Sequence, residues 1–196
     1  MKAKASAGPG GVPCVAFLRG INVGGNNVVS MKSLKASFER LRFRDVSTYI
    51  NSGNVLFRTA DTDGRAAERR IDRMLASDYK LTGRTVVRSH AEMARLIETI
   101  QATWKIDDRW RYNVIFLRHE IDSDRVLEQL KPRDGFERVV YCPGTLLWSA
   151  RIDALTRTDM LKLASRPIYQ QMTVRNVNTT TKVFQLLRRM EEAVNG

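Results

Sequence analysis

Chemistry that depends on thiols, imidazoles or metal clusters has little to work with in this 196-residue chain, which holds two cysteines and two histidines. Cys14 and Cys142 stand far apart and form no Cys-x-x-Cys pair, which excludes a disulfide scaffold and a zinc ribbon. Both fall in apolar, strand-like runs, where a small buried side chain is a simpler reading than a reactive thiol. A reducing compartment is the expectation. His90 and His119 lie in different halves and share no ligand spacing with Cys, Asp or Glu, so no metal site is expected. His90 reads as a cap or surface residue. No Gly-x-Ser-x-Gly elbow, His-Glu-x-x-His pair or Cys–His signature occurs, and no motif requires a cofactor. Long apolar runs are missing too. None approaches the roughly 20 residues that cross a bilayer, so no membrane partner is expected. Residues 1–12 lack an apolar stretch and read as a disordered tail rather than a secretory signal. The cytoplasm is the expected location.

Acid is scarce relative to base. Lysine and arginine number 33 against 21 acidic residues, a net charge of +12. Residues 1–100 hold 17 basic and 9 acidic residues, and the remainder 16 and 12, so neither half accounts for the excess alone. Such a field attracts polyanions and phosphorylated ligands without specifying a fold. Arginine outnumbers lysine 24 to 9, which suits planar recognition of phosphate, although solvated arginine faces produce the same count.

Periodicity organises what remains. Residues 12–18 read as a buried strand and residues 20–29 as a Gly-rich loop. From Ser30, the positions Met31, Leu34, Phe38 and Leu41 recur at helical spacing. Residues 46–50 and 54–58 read as a hairpin turning at Asn51-Ser52-Gly53, where glycine supplies positive φ. A second helix follows Gly64, with Ala67, Ile71, Met74 and Leu75 on one face. Residues 85–88 form a strand and 91–100 an added helix. The order then recurs: strand 112–118, helix 123–130, hairpin 138–142 and 145–150 turning at Pro143-Gly144, helix 158–164, strand 172–175, helix 179–190. Phe17-Leu18-Arg19 echoes Phe116-Leu117-Arg118, and Thr85-Val86-Val87-Arg88 echoes Thr173-Val174-Arg175. The expected class is α+β, a tandem duplication of two ferredoxin-like (βαββαβ) halves, each followed by an added helix. The expected division is a tail to residue 12, a first half over 13–103 and a second over 104–196.

Two segments could carry chemistry. The first comprises Arg19, Gly20, Asn22, Gly24, Gly25 and Asn26, in a loop leading from a strand into a helix start. Its glycines allow successive N–H groups to converge on an anion, and Arg19 adds a forked donor. It lacks the Gly-Lys-Ser/Thr of a phosphate-binding P-loop and the glycine spacing of a dinucleotide fingerprint. The second comprises Arg175, Asn176, Asn178, Thr179 and Lys182. Here Asn178 is expected to cap the closing helix, leaving an anion-friendly helix start. In both segments the competing reading is turning and capping alone.

Three further features take the bland reading. Asp107-Asp108 reads as a solvated pair in a linker, and Asp153 and Asp159 near Arg157 as an exposed ion pair. The strand aromatics Tyr49, Phe57, Tyr141 and Trp148 alternate with polar residues and read as core rather than base-stacking groups. Trp104 and Trp110 are expected to pack the halves together.

Leu18-Arg19-Gly20-Ile21-Asn22-Val23-Gly24-Gly25, with Met31 and the run Tyr49-Ile50-Asn51-Ser52-Gly53-Asn54-Val55, resembles the signature of the bacterial domain-of-unknown-function family 1697. Arg175-Asn176, Asn178-Thr179 and Lys182 resemble that family's C-terminal motif, which often carries Trp where Val177 stands. Leu155-Thr156-Arg157-Thr158 resembles another stretch of its members. The resemblance implies two ferredoxin-like halves and no activity. The reading is therefore a small anionic or phosphorylated, nucleotide-like ligand held by both segments, which are then expected to lie within about 20 Å, two helix diameters. Two alternatives stay open: a nucleic-acid-associated module, and an enzyme of unrecognised type using the same pocket. The oligomeric state is open.

Overall fold

The computed structural model describes residues 11–22, 27–61, 63–83 and 85–195. Val12–Leu18 forms β1, whose Pro13 to Leu18 are all buried. Of the expected tail, residues 1–10 lie outside the described residues, whereas Val12 opens this strand and the Gly11 carbonyl accepts from Arg58 Nη1 at 3.0 Å. Asn54–Thr59 (β3) and Thr85–Ser89 (β4) flank β1, and Arg44–Tyr49 (β2) closes the sheet in the order β2-β3-β1-β4, all antiparallel. Gly53 ends the β2–β3 turn at φ +73°, and a Cβ there would come 2.9 Å from Leu18 Cβ. Positive φ and close approach together require glycine.

Helix α1 (Met31–Arg40) starts where Ser30 Oγ accepts from Ser33 N, and buries Leu34, Ser37 and Phe38. Helix α2 (Gly64–Tyr79) is capped by Asp63 and buries Ala67, Ile71, Met74 and Leu75, the face its periodicity marks. Both pack with Phe57 in one apolar cluster. Phe43 lies 4.4 Å from Phe57 and 5.9 Å from Phe38, between ring centroids, and Arg70 of α2 covers Phe43 at 4.6 Å. Arg70 also reaches Asp61 and the Leu41 carbonyl, tying α2 to the end of α1.

Trp110–Leu117 (β5), Glu137–Cys142 (β6), Thr145–Arg151 (β7) and Met172–Asn176 (β8) form a second antiparallel sheet ordered β6-β7-β5-β8. Its connections depart from the expected helices. Residues 123–130 give a 3₁₀ helix over Asp124–Gln129, which buries only Val126, and Pro132 soon follows. Residues 158–164 give one turn, Met160–Leu163 (α4), between 3₁₀ helices at Ile152–Arg157 and Pro167–Gln171. Arg166, just before Pro167, is extended at ψ 143°, as proline's ring demands of its predecessor, so no helix can run on through it.

Side chains satisfy the amides that these short pieces leave open. Glu137 is 4% exposed, and its carboxylate accepts from Trp148 Nε1 (2.7 Å), Asp159 N (2.9 Å), Arg133 N (3.0 Å) and Met160 N (3.2 Å). Asp159 accepts from Lys131 N at 2.8 Å and from both terminal nitrogens of Arg166 at 2.6 and 2.7 Å.

Two further helices complete the chain, α3 (His90–Thr103) and α5 (Val177–Asn195). A capping box opens α3: Ser89 Oγ accepts from Glu92 N, and Glu92 Oε2 accepts from Ser89 N at 2.8 Å. Compact units do not follow chain order. One is Met1–Ala94 with Lys182–Gly196, the other Arg95–Thr181. Within the first, Arg58 is 3% exposed; it pairs with Asp45 at 3.0 Å and donates to the Met190 carbonyl of α5, and His90 stacks on Phe184 at 5.6 Å. Within the second, Trp104 at the end of α3 packs on Tyr112.

Candidate functional site

The loop after β1 is drawn shut at its neck. Gly20 and Asn22 both take positive φ, and Ile21 is fully buried between them. Asn22 Nδ2 donates to the carbonyls of Val29 and Asn51, each at 2.9 Å, while its Oδ1 accepts from Val29 N at 2.7 Å. Asn27 Nδ2 donates to the Gly20 carbonyl at 2.8 Å, and Asn22 N to the Asn27 carbonyl at 3.2 Å. Asn22 therefore shapes the loop and ties it to the β2–β3 turn. Arg19 is half-buried at its entrance. Gly24, Gly25 and Asn26 lie outside the described residues.

The second segment runs from β8 into α5. Arg175 is held in place by its own strand: Nη1 donates to the Val174 carbonyl at 2.8 Å and to Thr173 Oγ1 at 3.0 Å. Burial pushes its guanidinium down to about 10, far below the ordinary arginine range. The expected cap is corrected. Asn176, not Asn178, caps α5, because its Oδ1 accepts from Thr179 N at 2.7 Å, three residues on, where an N-cap side chain reaches. Thr180 Oγ1 donates to the Asn176 carbonyl at 3.0 Å. Asn178 is exposed inside the first turn, and Lys182 is half-buried further along. The amides of Val177 and Asn178 open a nineteen-residue helix, where no intrahelical acceptor exists for them.

Elsewhere the bland readings divide. Cys14 and Cys142 are free and buried, and burial pushes the Cys14 thiol up to about 12, which keeps it unreactive. Among the described residues, no group of His, Cys, Asp or Glu is placed to hold a metal ion, and no helix is long and apolar enough to cross a membrane. Asp107 pairs with Arg109 at 3.0 Å and Asp153 with Arg151 at 2.5 Å, both exposed. Asp159 departs from expectation, pairing with Arg166 in a buried network, while Arg157 covers Phe136 at 5.0 Å. Phe57 and Trp148 are core, at 0% and 3% exposure, and Tyr141 donates to Asp122. Sequence reasoning missed Glu137 as a buried acceptor, and no local pattern marks it. It also missed the Ser89-x-x-Glu92 capping box, a signature that was there to be read.

These elements define a mixed α+β protein with two four-stranded antiparallel sheets. A family model described as a protein of unknown function (DUF1697) matches residues 13–148, more than half of the chain, and the chain belongs to that family. Among solved structures, a conserved bacterial protein from Streptococcus pneumoniae is similar at 28% identity and a TM-score of 0.78, over 90% of this chain and 98% of that one. No curated protein matches.

Proposed function

We propose that the chain is a tandem of two ferredoxin-like units and that its turn from β8 into α5 binds the anionic group of a small phosphorylated, nucleotide-like ligand. Repetition supports the first part. The two sheets share one strand order, and equivalent positions share contacts. Leu18 N donates to Gly53 O at 2.8 Å, as Leu117 N does to Gly144 O at 2.9 Å. Arg88 stands opposite Val15, as Arg175 stands opposite Val114, and each guanidinium donates to the preceding valine carbonyl.

Arg175 carries the second part. Hydrogen bonds to the Val174 carbonyl and Thr173 Oγ1 fix its guanidinium in place, and its planar fork suits the oxygens of a phosphate. The start of a long helix lies directly beside it, with two open amides and the positive end of the dipole. Asn178, Thr179 and Lys182 complete this segment. The loop of Arg19, Gly20, Asn22, Gly24, Gly25 and Asn26 is a second anion-binding segment in the same reading. Two buried free thiols support a reducing, cytoplasmic setting.

Calorimetric titration with inorganic pyrophosphate and with nucleoside monophosphates tests this reading. Arg175→Gln is expected to weaken binding at least about tenfold, the cost of one charge-assisted contact. Equal affinity for wild type and variant would contradict it.

A further inference from the structure

The second sheet presents two faces. Ile115, Leu117, Leu146, Trp148 and Ala150 belong to its apolar cluster. By the two-residue period of a strand, Tyr112, Arg138, Val140, Leu147 and Ser149 point the other way. Against that other face the last turn of α3 and the segment after it stand as a wall, leaving a cleft of about 500 Å³. Trp104, Lys105, Trp110, Tyr112, Arg138 and Ser149 are among its lining residues. This volume falls within the ~300–1,000 Å³ typical of small-ligand sites.

The wall is set before any ligand arrives. Tyr112 Oη donates to the Lys105 carbonyl at 3.0 Å and accepts from Asp107 N at 3.3 Å. The Trp104 ring lies 5.0 Å from that of Tyr112, tilted by 57°. Trp104 and Trp110 are only half-buried, so each indole keeps surface towards the cleft. Arg138, on β6, holds its guanidinium carbon 5.2 Å from the Trp110 centroid. Lys105 is exposed beside Trp104. The acid in the lining, Asp107, is already engaged by Arg109, whose hydrogen bond holds its carboxyl below the usual range.

Indole surfaces flanked by cations select a ligand that joins a flat ring to a negatively charged group, over an aliphatic or an uncharged one. The α3 wall also restricts the face to a volume of single-nucleotide size, whereas strand readers lay successive bases along an open platform. We infer that this cleft binds one small planar anion of the nucleoside-monophosphate class, its ring against Trp104 and Trp110 and its phosphate towards Lys105 and Arg138. The site shares no residue with the β8–α5 turn and stands independently of it.

Tryptophan fluorescence tests the inference, because Trp104 and Trp110 line the cleft while Trp148, the third tryptophan, is buried. AMP and UMP are titrated against the full chain, with adenosine and ribose 5-phosphate as halves of the ligand. The expected result is a saturable change with a Kd tighter than about 1 mM, and each half at least about tenfold weaker. Arg138→Gln, an exposed substitution that leaves the core intact, should weaken AMP about tenfold, and Trp110→Phe should weaken it less. Arg175→Gln should leave the signal unchanged. No saturable change would overturn the inference. So would a response lost in Arg175→Gln but kept in Arg138→Gln, or a single-stranded oligonucleotide binding far more tightly than AMP with a steep salt dependence.

Discussion

Two sheets with one strand order are covered in opposite ways. The first carries α1 and α2, ten and sixteen residues long, whose apolar faces meet Phe57 in a continuous cluster. The second carries 3₁₀ and α pieces of six, six, four and five residues. A long helix satisfies its own amides and offers an apolar stripe. Pieces of one or two turns do neither, so the molecule buries carboxylates to receive the orphan N–H groups. Glu137 accepts from three backbone amides and an indole, and Asp159 from one amide and Arg166. The two sheets thus differ in their cover. Long amphipathic helices lie over the first, where the buried carboxylate Glu68 accepts from Val87 N at 2.9 Å. Short pieces knit by two buried carboxylates, Glu137 and Asp159, lie over the second.

Substitutions in each half sharpen that contrast. Phe57→Ala removes a ring fully buried against Phe38 and Phe43, and should cost about 3–5 kcal/mol by denaturant unfolding. The loss of amide exchange protection should begin in β1–β4. Glu137→Gln keeps the shape but replaces two carboxylate oxygens by one acceptor, at about 2–4 kcal/mol. Its loss of protection should centre on Asp159 and Met160 while β1–β4 hold. If both variants open the same amides first, the contrast fails.

Acid should separate the halves next. The hydrogen bond from Arg166 holds the Asp159 carboxyl below its ordinary range. A depressed folded value means stability that is present above the unfolded value, near 4, and is lost as pH falls through the folded one. Unfolding of the second half should become easier below about pH 4, and Asp159→Asn should flatten that dependence. The smallest effects concern the helix starts. Ser89→Ala and Asn176→Ala should each cost about 1 kcal/mol, whereas Asn178→Ala should stay within about 0.5 kcal/mol. Thermal unfolding of the three variants checks this order. A costly Asn178 would return the cap to that residue.

What could be read from the sequence follows the same contrast. Apolar periodicity located α1 and α2 because their buried faces repeat over ten and sixteen residues. It overextended residues 123–130 and 158–164, where Pro132 and Pro167 limit helix growth and only Val126 and Leu163 are buried within the resulting pieces. The hairpin turns were legible because Gly53 and Gly144 must take positive φ. Glu137 and Asp159 were not, since their partners are scattered from 4 to 28 residues away along the chain and leave no local pattern. In the candidate site, the arginine and the helix start were legible. The cap was placed two residues late, because Asn176 and Asn178 both suit it and only the backbone chooses. The cleft aromatics were read as packing, since nothing local distinguishes Trp104 and Trp110 from core residues.

The central functional claim is that the β8–α5 turn receives an anion, and a ¹⁵N amide NMR titration with inorganic pyrophosphate tests it most directly. The account predicts saturable shifts concentrated at the amides of Val177, Asn178, Thr179 and Thr180 that persist at moderate salt. Shifts scattered over arginine-rich faces and erased by salt, with those four amides unmoved, would contradict it.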